Sequence, residues 1–231
     1  MRLYDKGLIY RANRLVNWSS VLKTAISDIE VVFEDIEKRT YLEVPGYTEK
    51  VEFGVIIYFA YKLKDDPTQE IVVATTRIET MLGDTAVAVH PEDERYKHLI
   101  GKELVHPFIP ERKLKIIADT FVEKDFGSGA VKITPAHDPN DYTCGERNKL
   151  EFINILTDEG IINENGGKFK GLPRFQCRKV IEEELKQLGL WKEKKNNKMR
   201  LALCQRSKDV VEPMIRPQWW VSCSEISKHM L

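Results

Sequence analysis

Neither sign of charge is in excess: 36 Lys and Arg face 36 Asp and Glu, so a surface built to hold a long polyanion is not written across the chain. Contact with nucleic acid has to come from local patches, and is expected to be weak in isolation and steeply salt dependent. Cysteine is sparse. Cys144, Cys177, Cys204 and Cys223 lie far apart with no CxxC pair, which gives no disulfide framework and fits reduced thiols in a cytoplasmic protein. Long apolar runs are missing too: the longest, Phe53 to Tyr61, is far too short to cross a bilayer, and the start, MRLYDKG, lacks the apolar stretch of a signal peptide. There is no HExxH pair, no nucleophile elbow, no internal repeat and no low-complexity linker. What is present, 42% hydrophobic and 31% charged residues in a chain of 231, suffices for a substantial soluble core.

The most informative stretch is GSGAVKITPAHDPND, Gly127 to Asp141. Gly127-Ser128-Gly129 is a turn whose glycines permit positive φ and leave backbone N–H groups open to approach. Ala130 to Thr134 then alternates, so Lys132 and Thr134 share one face of a short strand and Val131 and Ile133 the other. Pro135 stops the strand. Asp138-Pro139-Asn140-Asp141 reads as a helix start, with an oxygen-bearing N-cap, proline at the first helical position and an acid at the third. Four polar side chains thus converge at a strand-to-helix junction, which suits a small zwitterionic or hydroxyl-bearing ligand. The same residues also fit a purely structural role, in which Asp138 caps the helix, Asp141 completes a capping box and Lys132 is solvated. His137, Asp138 and Asp141 hint at a metal site, but no ligand spacing accompanies them.

Elsewhere the pattern is strand-rich. Strands are expected over Ile29 to Phe33, Val51 to Leu63 with a bulge at Gly54, Glu70 to Thr76, Thr85 to His90, Leu104 to Phe108, Leu114 to Ala118 and Ile153 to Leu156. Ile78 to Gly83 reads as one helical turn, Pro91 to His98 as a short helix, and Pro173 to Leu188, closed by Gly189, as a longer one. The threonines ending EIVVATT suit a sugar hydroxyl, a carbonyl or a water, although threonine is also simply a good strand former. Lys192, Lys194, Lys195, Lys198 and Arg200, with Arg112, Lys113 and Lys115, offer phosphate contact or a solvated surface. Both ends look like cut edges of an insertion. The fold class is α+β: one β-rich domain with peripheral helices.

ATTRIETMLGD (74–84) and GSGAVKITPAHDPNDY (127–142) together resemble the editing insertion of valyl-tRNA synthetase, of the eukaryotic cytosolic type. The likeness extends to GLIYRANRLVNWSS and RSKDVVEPMIRPQWWV, so it covers nearly the whole chain. Ile78 stands where proline is usual, Gly127-Ser128-Gly129 stands for GTG, and the cysteine pairs of bacterial relatives are absent at Asn17 to Ser20. The resemblance implies a barrel-like editing domain over 1–231, with an incoming segment at 1–45, a core at 46–200 and an outgoing segment at 201–231. It implies hydrolysis of threonine from the 3′ end of valine tRNA, without a covalent intermediate, metal or other cofactor. The remainder of a synthetase is the implied partner, and the aminoacylation signatures are missing. Lys132, Thr134 and Asp138 would recognise the threonine side chain and Asp141 its ammonium. Thr75, Thr76 and Arg77 would position the ester and terminal adenosine, and Thr80 would limit the pocket. The implied catalytic set is Asp141, Asp138, Thr76 and His137, with none fixed as general base. A leucyl or isoleucyl type of editing insertion and a non-catalytic tRNA-docking insertion are the competing readings.

Overall fold

The computed structural model describes residues 2–223, so residues 224–231 of the outgoing segment lie outside the description. In chain order the elements are α1 (Arg2–Asp5), β1 (Ile9–Ser19), β2 (Thr24–Ile26), β3 (Val31–Ile36), β4 (Thr40–Leu42), β5 (Val51–Phe53), β6 (Val55–Leu63), β7 (Glu70–Thr75), β8 (Ala86–Val89), β9 (Glu103–Val105), β10 (Leu114–Ala118), β11 (Ala130–Ile133), α2 (Pro139–Asn148), α3 (Arg174–Gln187), β12 (Trp191–Asn196), β13 (Met199–Cys204) and β14 (Glu212–Val221). The class is α+β, strand-rich with few helices.

The largest sheet runs β11-β8-β10-β9-β6-β12, with β7 on the other edge of β6. β11 comes back beside β7, so the sheet nearly closes into a barrel. All its pairings are antiparallel except β8 with β10. β6, VIIYFAYKL, is β-branched and aromatic and buried on both faces, which central barrel strands require. In β8, Val87 and Val89 face the main core with Ile57, Phe59 and Tyr61. Its Ala86 and Ala88 face outward, where Ile133 and Cys144 pack α2 onto the barrel. α3 adds Cys177, Ile181 and Leu185 to the main core. A separate ribbon pairs β1 with β14 from Ile9↔Val221 to Trp18↔Glu212.

Several expected elements differ. The run from Val51 to Leu63 is two strands, because Gly54 has φ of 73° and a Cβ there would collide with the Lys38 carbonyl. Ile29 lies in a 3-10 turn over Asp28–Glu30, tied by the Ser27 and Glu30 capping box, and the strand starts only at Val31. Pro91 to His98 is a series of turns that ends in a 3-10 turn, Lys97–Leu99, not a helix; the Asp93 carboxylate accepts both the Arg95 N–H and its guanidinium. Ile153 to Leu156 is buried but makes no strand. The Ile155 N–H goes to a histidine ring and the Leu156 N–H to the Asn154 side chain, leaving one bridge at Leu156. The basic run is largely neutralised: Lys192 meets Glu70, Lys194 meets Glu52 and Glu182, Lys195 meets Glu193, and Lys198 meets Glu37. Arg200 lies over the Phe33 ring. No helix among the described residues is long and apolar enough to cross a membrane.

Candidate functional site

Between β7, β11 and the start of α2 lies a pocket of about 290 Å³, lined on its polar side by Thr75, Thr76, Arg77, Thr80, Lys132, His137, Asp138, Asn140, Asp141 and Asn197. Apolar walls come from Ile56, Ala74, Phe121, Phe126 and Val131. Local chemistry places each group. β7 ends at Thr75, whose hydroxyl accepts the Arg77 N–H at 3.0 Å and bends the chain into the 3-10 turn Ile78–Gly83. That turn sets Thr80 facing Lys132. β11 carries Lys132 to the floor, Pro135 ends the strand, and α2 then starts as its N-terminal chemistry demands.

Asp138 is the N-cap: its Oδ1 accepts the N–H groups of Asn140 and Asp141 at 2.8 and 3.1 Å. Among the described residues its Oδ2 has no hydrogen-bond partner, so one oxygen caps while the other borders the pocket. Asp141 does not complete a capping box. Its Oδ2 accepts the Thr134 N–H at 2.8 Å, which stitches α2 to the end of β11 and leaves Oδ1 open. Burial, then the Asp138 carboxylate, pushes the Asp141 carboxyl up to about 7, against the pull of Lys132 and the Thr134 N–H.

Lys132 is buried, and its ammonium is fully engaged from below: Nζ donates to Thr134 Oγ1 at 2.6 Å, Thr80 Oγ1 at 2.7 Å and Asp84 Oδ1 at 3.1 Å. Asp84, fully buried, also accepts the Thr134 hydroxyl at 2.5 Å and the Tyr61 hydroxyl at 2.8 Å. Thr134 is therefore beneath the floor, 1% exposed, and does not line the pocket.

His137 faces away. Its Nε2 accepts the Ile155 N–H at 3.0 Å, which places the ring proton on Nδ1, 3.1 Å from Glu212 Oε1. With no free lone pair and no exposure, the ring cannot take a proton from a water in the pocket, so His137 leaves the expected catalytic set and becomes a positioning residue. Nor does it converge with Asp138 and Asp141 as metal binding would need. Its carbonyl accepts Arg77 Nη1 at 2.8 Å, and Arg77 Nη2 forks onto Glu212 at 2.6 Å. Arg77 thus borders the pocket with its guanidinium turned inward. Glu212 also receives Arg174, and Glu79 pairs with Arg178 through two bonds of 2.8 Å. Burial would push the Glu212 carboxyl up, but Arg77, the His137 hydrogen bond and Arg174 outweigh it and hold it below the ordinary carboxylate range.

Asp84, Glu212, Glu79 and Tyr61 are absent from the residues expected at the site. Asp84 and Glu212 each carried a signal: an acid set between apolar stretches, MLGDTAVAV and VVEPMI, must be buried with a partner.

Residues 1–231 match the model of the family described as tRNA synthetases class I (I, L, M and V). The chain is 59% identical to the mitochondrial valine–tRNA ligase 1 of Arabidopsis thaliana, over 100% of this chain and 21% of that protein. It is 55% identical to the valine–tRNA ligase of Caenorhabditis elegans, over 99% of this chain and 22% of the relative, and 56% identical to that of Homo sapiens, over 99% and 18%. The chain thus spans about a fifth of the length of these relatives.

Proposed function

The chain belongs to the class I tRNA synthetases of the isoleucine, leucine, methionine and valine group, and from that footing we propose that it hydrolyses threonine wrongly esterified to the 3′ end of valine tRNA. The observation that carries this reading is a pocket the size of a small amino acid in which two carboxylates, Asp138 and Asp141, each keep an oxygen open beside a buried cation. A synthetic site shaped for valine cannot strongly reject a side chain that exchanges a methyl for a hydroxyl, so a second, hydrolytic site has something to correct.

Asp141 holds the ammonium common to all aminoacyl esters. The open oxygen of Asp138 faces the threonine hydroxyl, Thr80 closes the floor, and Thr75 and Thr76 at the mouth orient the ester and the terminal adenosine. Water attacks the ester carbon, the bond to the ribose oxygen breaks, and the threonine carboxylate and tRNA hydroxyl part. The ester is already activated, so orientation and polarisation supply the rate. Deacylation of threonyl-, valyl- and isoleucyl-loaded tRNAs by the purified protein tests this. The threonyl ester should be cleaved fastest; a threonyl ester that outlasts the assay would leave a docking role for the region instead.

The ammonium must meet an ionised Asp141. Its carboxyl sits at about 7 in the empty pocket, so kcat/KM, corrected for the uncatalysed rate, is expected to climb as pH rises from 6 and level off above about 7.5. A profile flat from pH 6 to 8 would remove Asp141 from ammonium binding. The two acids should also separate by substrate: Asp138→Ala is expected to narrow the threonine-over-valine preference by about 1 to 3 kcal/mol, as for one buried hydrogen bond. The lost cap should lower stability by roughly 0.5 to 2 kcal/mol. Equal loss on both esters would make Asp138 a cap and nothing more.

A further inference from the structure

The polar groups at the floor are arranged by a layer that no ligand touches. Lys132 has three ammonium protons and three acceptors, Asp84, Thr80 and Thr134, all below or beside it. Thr80 in turn gives its proton to the Arg77 carbonyl at 2.9 Å, so its oxygen is left only with a lone pair to offer. Asp138 and Asp141 offer carboxylate oxygens. The chemistry facing this end of the pocket is therefore that of acceptors, although a cation lies behind it.

The anchor of the arrangement is Asp84. Three donors converge on it from two segments, Tyr61 on β6 and, from the other, Lys132 on β11 and Thr134 just beyond, and it has no exposure at all. Because Thr134 donates its proton to Asp84, its oxygen is free to receive Lys132. Lys132 and Thr134 both bond one oxygen, Oδ1, and the Tyr61 hydroxyl the other, so the carboxylate sets the direction of these bonds; removing it frees the Thr134 hydroxyl and one Lys132 proton.

We infer that Asp84 is a positioning residue that sets the polarity of the pocket: by drawing the Lys132 protons downward it leaves acceptors at the floor, so the site takes side chains that donate a hydrogen bond and turns away those that only accept one. This rests on the hydrolytic reading and names its specificity class. Recognition of threonine then follows from what its hydroxyl donates, not from its size or its capacity to accept.

The test compares tRNA carrying threonine with tRNA carrying its 3-fluoro isostere, in which fluorine replaces the hydroxyl at similar size but donates nothing. The unaltered protein should cleave the threonyl ester about tenfold faster or more, the factor for one buried hydrogen bond. Asp84→Ala should shrink that ratio to about threefold or less, because a Lys132 proton is released upward. Should that variant fail to fold, Thr134→Val releases the same proton by another route, keeps the side-chain shape, and carries the same expectation. Tyr61→Phe removes a donor to Asp84 without altering Lys132, so it should lower stability and leave the ratio unchanged. A ratio near one in the unaltered protein, with the threonyl ester cleaved, overturns the polarity assignment while the hydrolase stands. An unchanged ratio in folded Asp84→Ala or Thr134→Val overturns the role of Asp84. No cleavage of either ester removes the hydrolytic reading and this inference with it.

Discussion

Asp141→Asn is expected to make the protein more stable and nearly inactive together. The carboxyl is 7% exposed, it faces the Asp138 carboxylate, and it is pushed up to about 7 from an ordinary value of 3.8. The folded state therefore holds a proton that the unfolded chain has released between those two values. The contribution of this group to stability is greatest below about pH 4, falls as pH rises through that window, and is lowest above about 7. At one unit per 1.36 kcal/mol, the ionised carboxylate weakens the fold at pH 8 by at most about 4 kcal/mol. Asparagine removes that penalty and keeps an oxygen for the Thr134 N–H. Urea unfolding at pH 5 and pH 8 should show the variant gaining on the unaltered protein mainly at the higher pH. Hydrolysis should drop roughly 30-fold or more, since an ammonium that loses its desolvated counter-charge forfeits about 2 kcal/mol or more. A variant less stable than its parent at pH 8 would make Asp141 a structural residue and contradict its role as the ammonium site.

Glu212→Ala should be the most damaging substitution in the chain. One buried carboxylate answers Arg77, Arg174 and His137 together. Its removal leaves Arg174 without its carboxylate and Arg77 with only Glu79, 3.6 Å away, and breaking a buried ion pair by deleting one partner lowers stability by about 3 to 5 kcal/mol. Hydrolysis by whatever protein remains folded should fall as well, because the His137 ring and the Arg77 side chain, which brace the pocket wall from behind, lose their common anchor. Glu212→Gln should be milder, keeping the shape and losing the charge. The carboxyl is held below its ordinary value, so its contribution is present above about pH 4.5 and is lost only in strong acid. Chemical unfolding of the alanine variant within about 1 kcal/mol of the parent would mean that Arg77 and Arg174 find other partners, and the network would not be the keystone described.

Where physical rules act over a few residues, the sequence was readable. The strand of alternating residues ending at Pro135, the Asp138 cap, the proline at the first helical turn and the 3-10 turn after β7 all follow from local sterics and hydrogen bonding. Lys132, Asp138 and Asp141 are brought to one junction by alternation and helix-start spacing, whereas only the resemblance adds Thr80 to them. What stayed hidden is the set of counter-charges. Asp84 lies 48 positions from Lys132, and Glu212 lies 135 from Arg77, and no local rule pairs groups so distant. Ile153 to Leu156 failed for a related reason: an apolar run specifies burial, but whether its amides find a neighbouring strand or a histidine ring is decided by the rest of the fold.

Every residue that borders the pocket falls between Ile56 and Asn197, whereas the anion that steadies its wall belongs to the first rung of β14. Lining and scaffolding are thus drawn from different stretches of the chain. A fragment trimmed to 46–200 would carry each group that meets a ligand and still lack the strut beneath Arg77 and His137. It would also lose β1, on which β14 is laid. The smallest piece worth excising is set not by what touches the ligand but by the ladder that delivers Glu212.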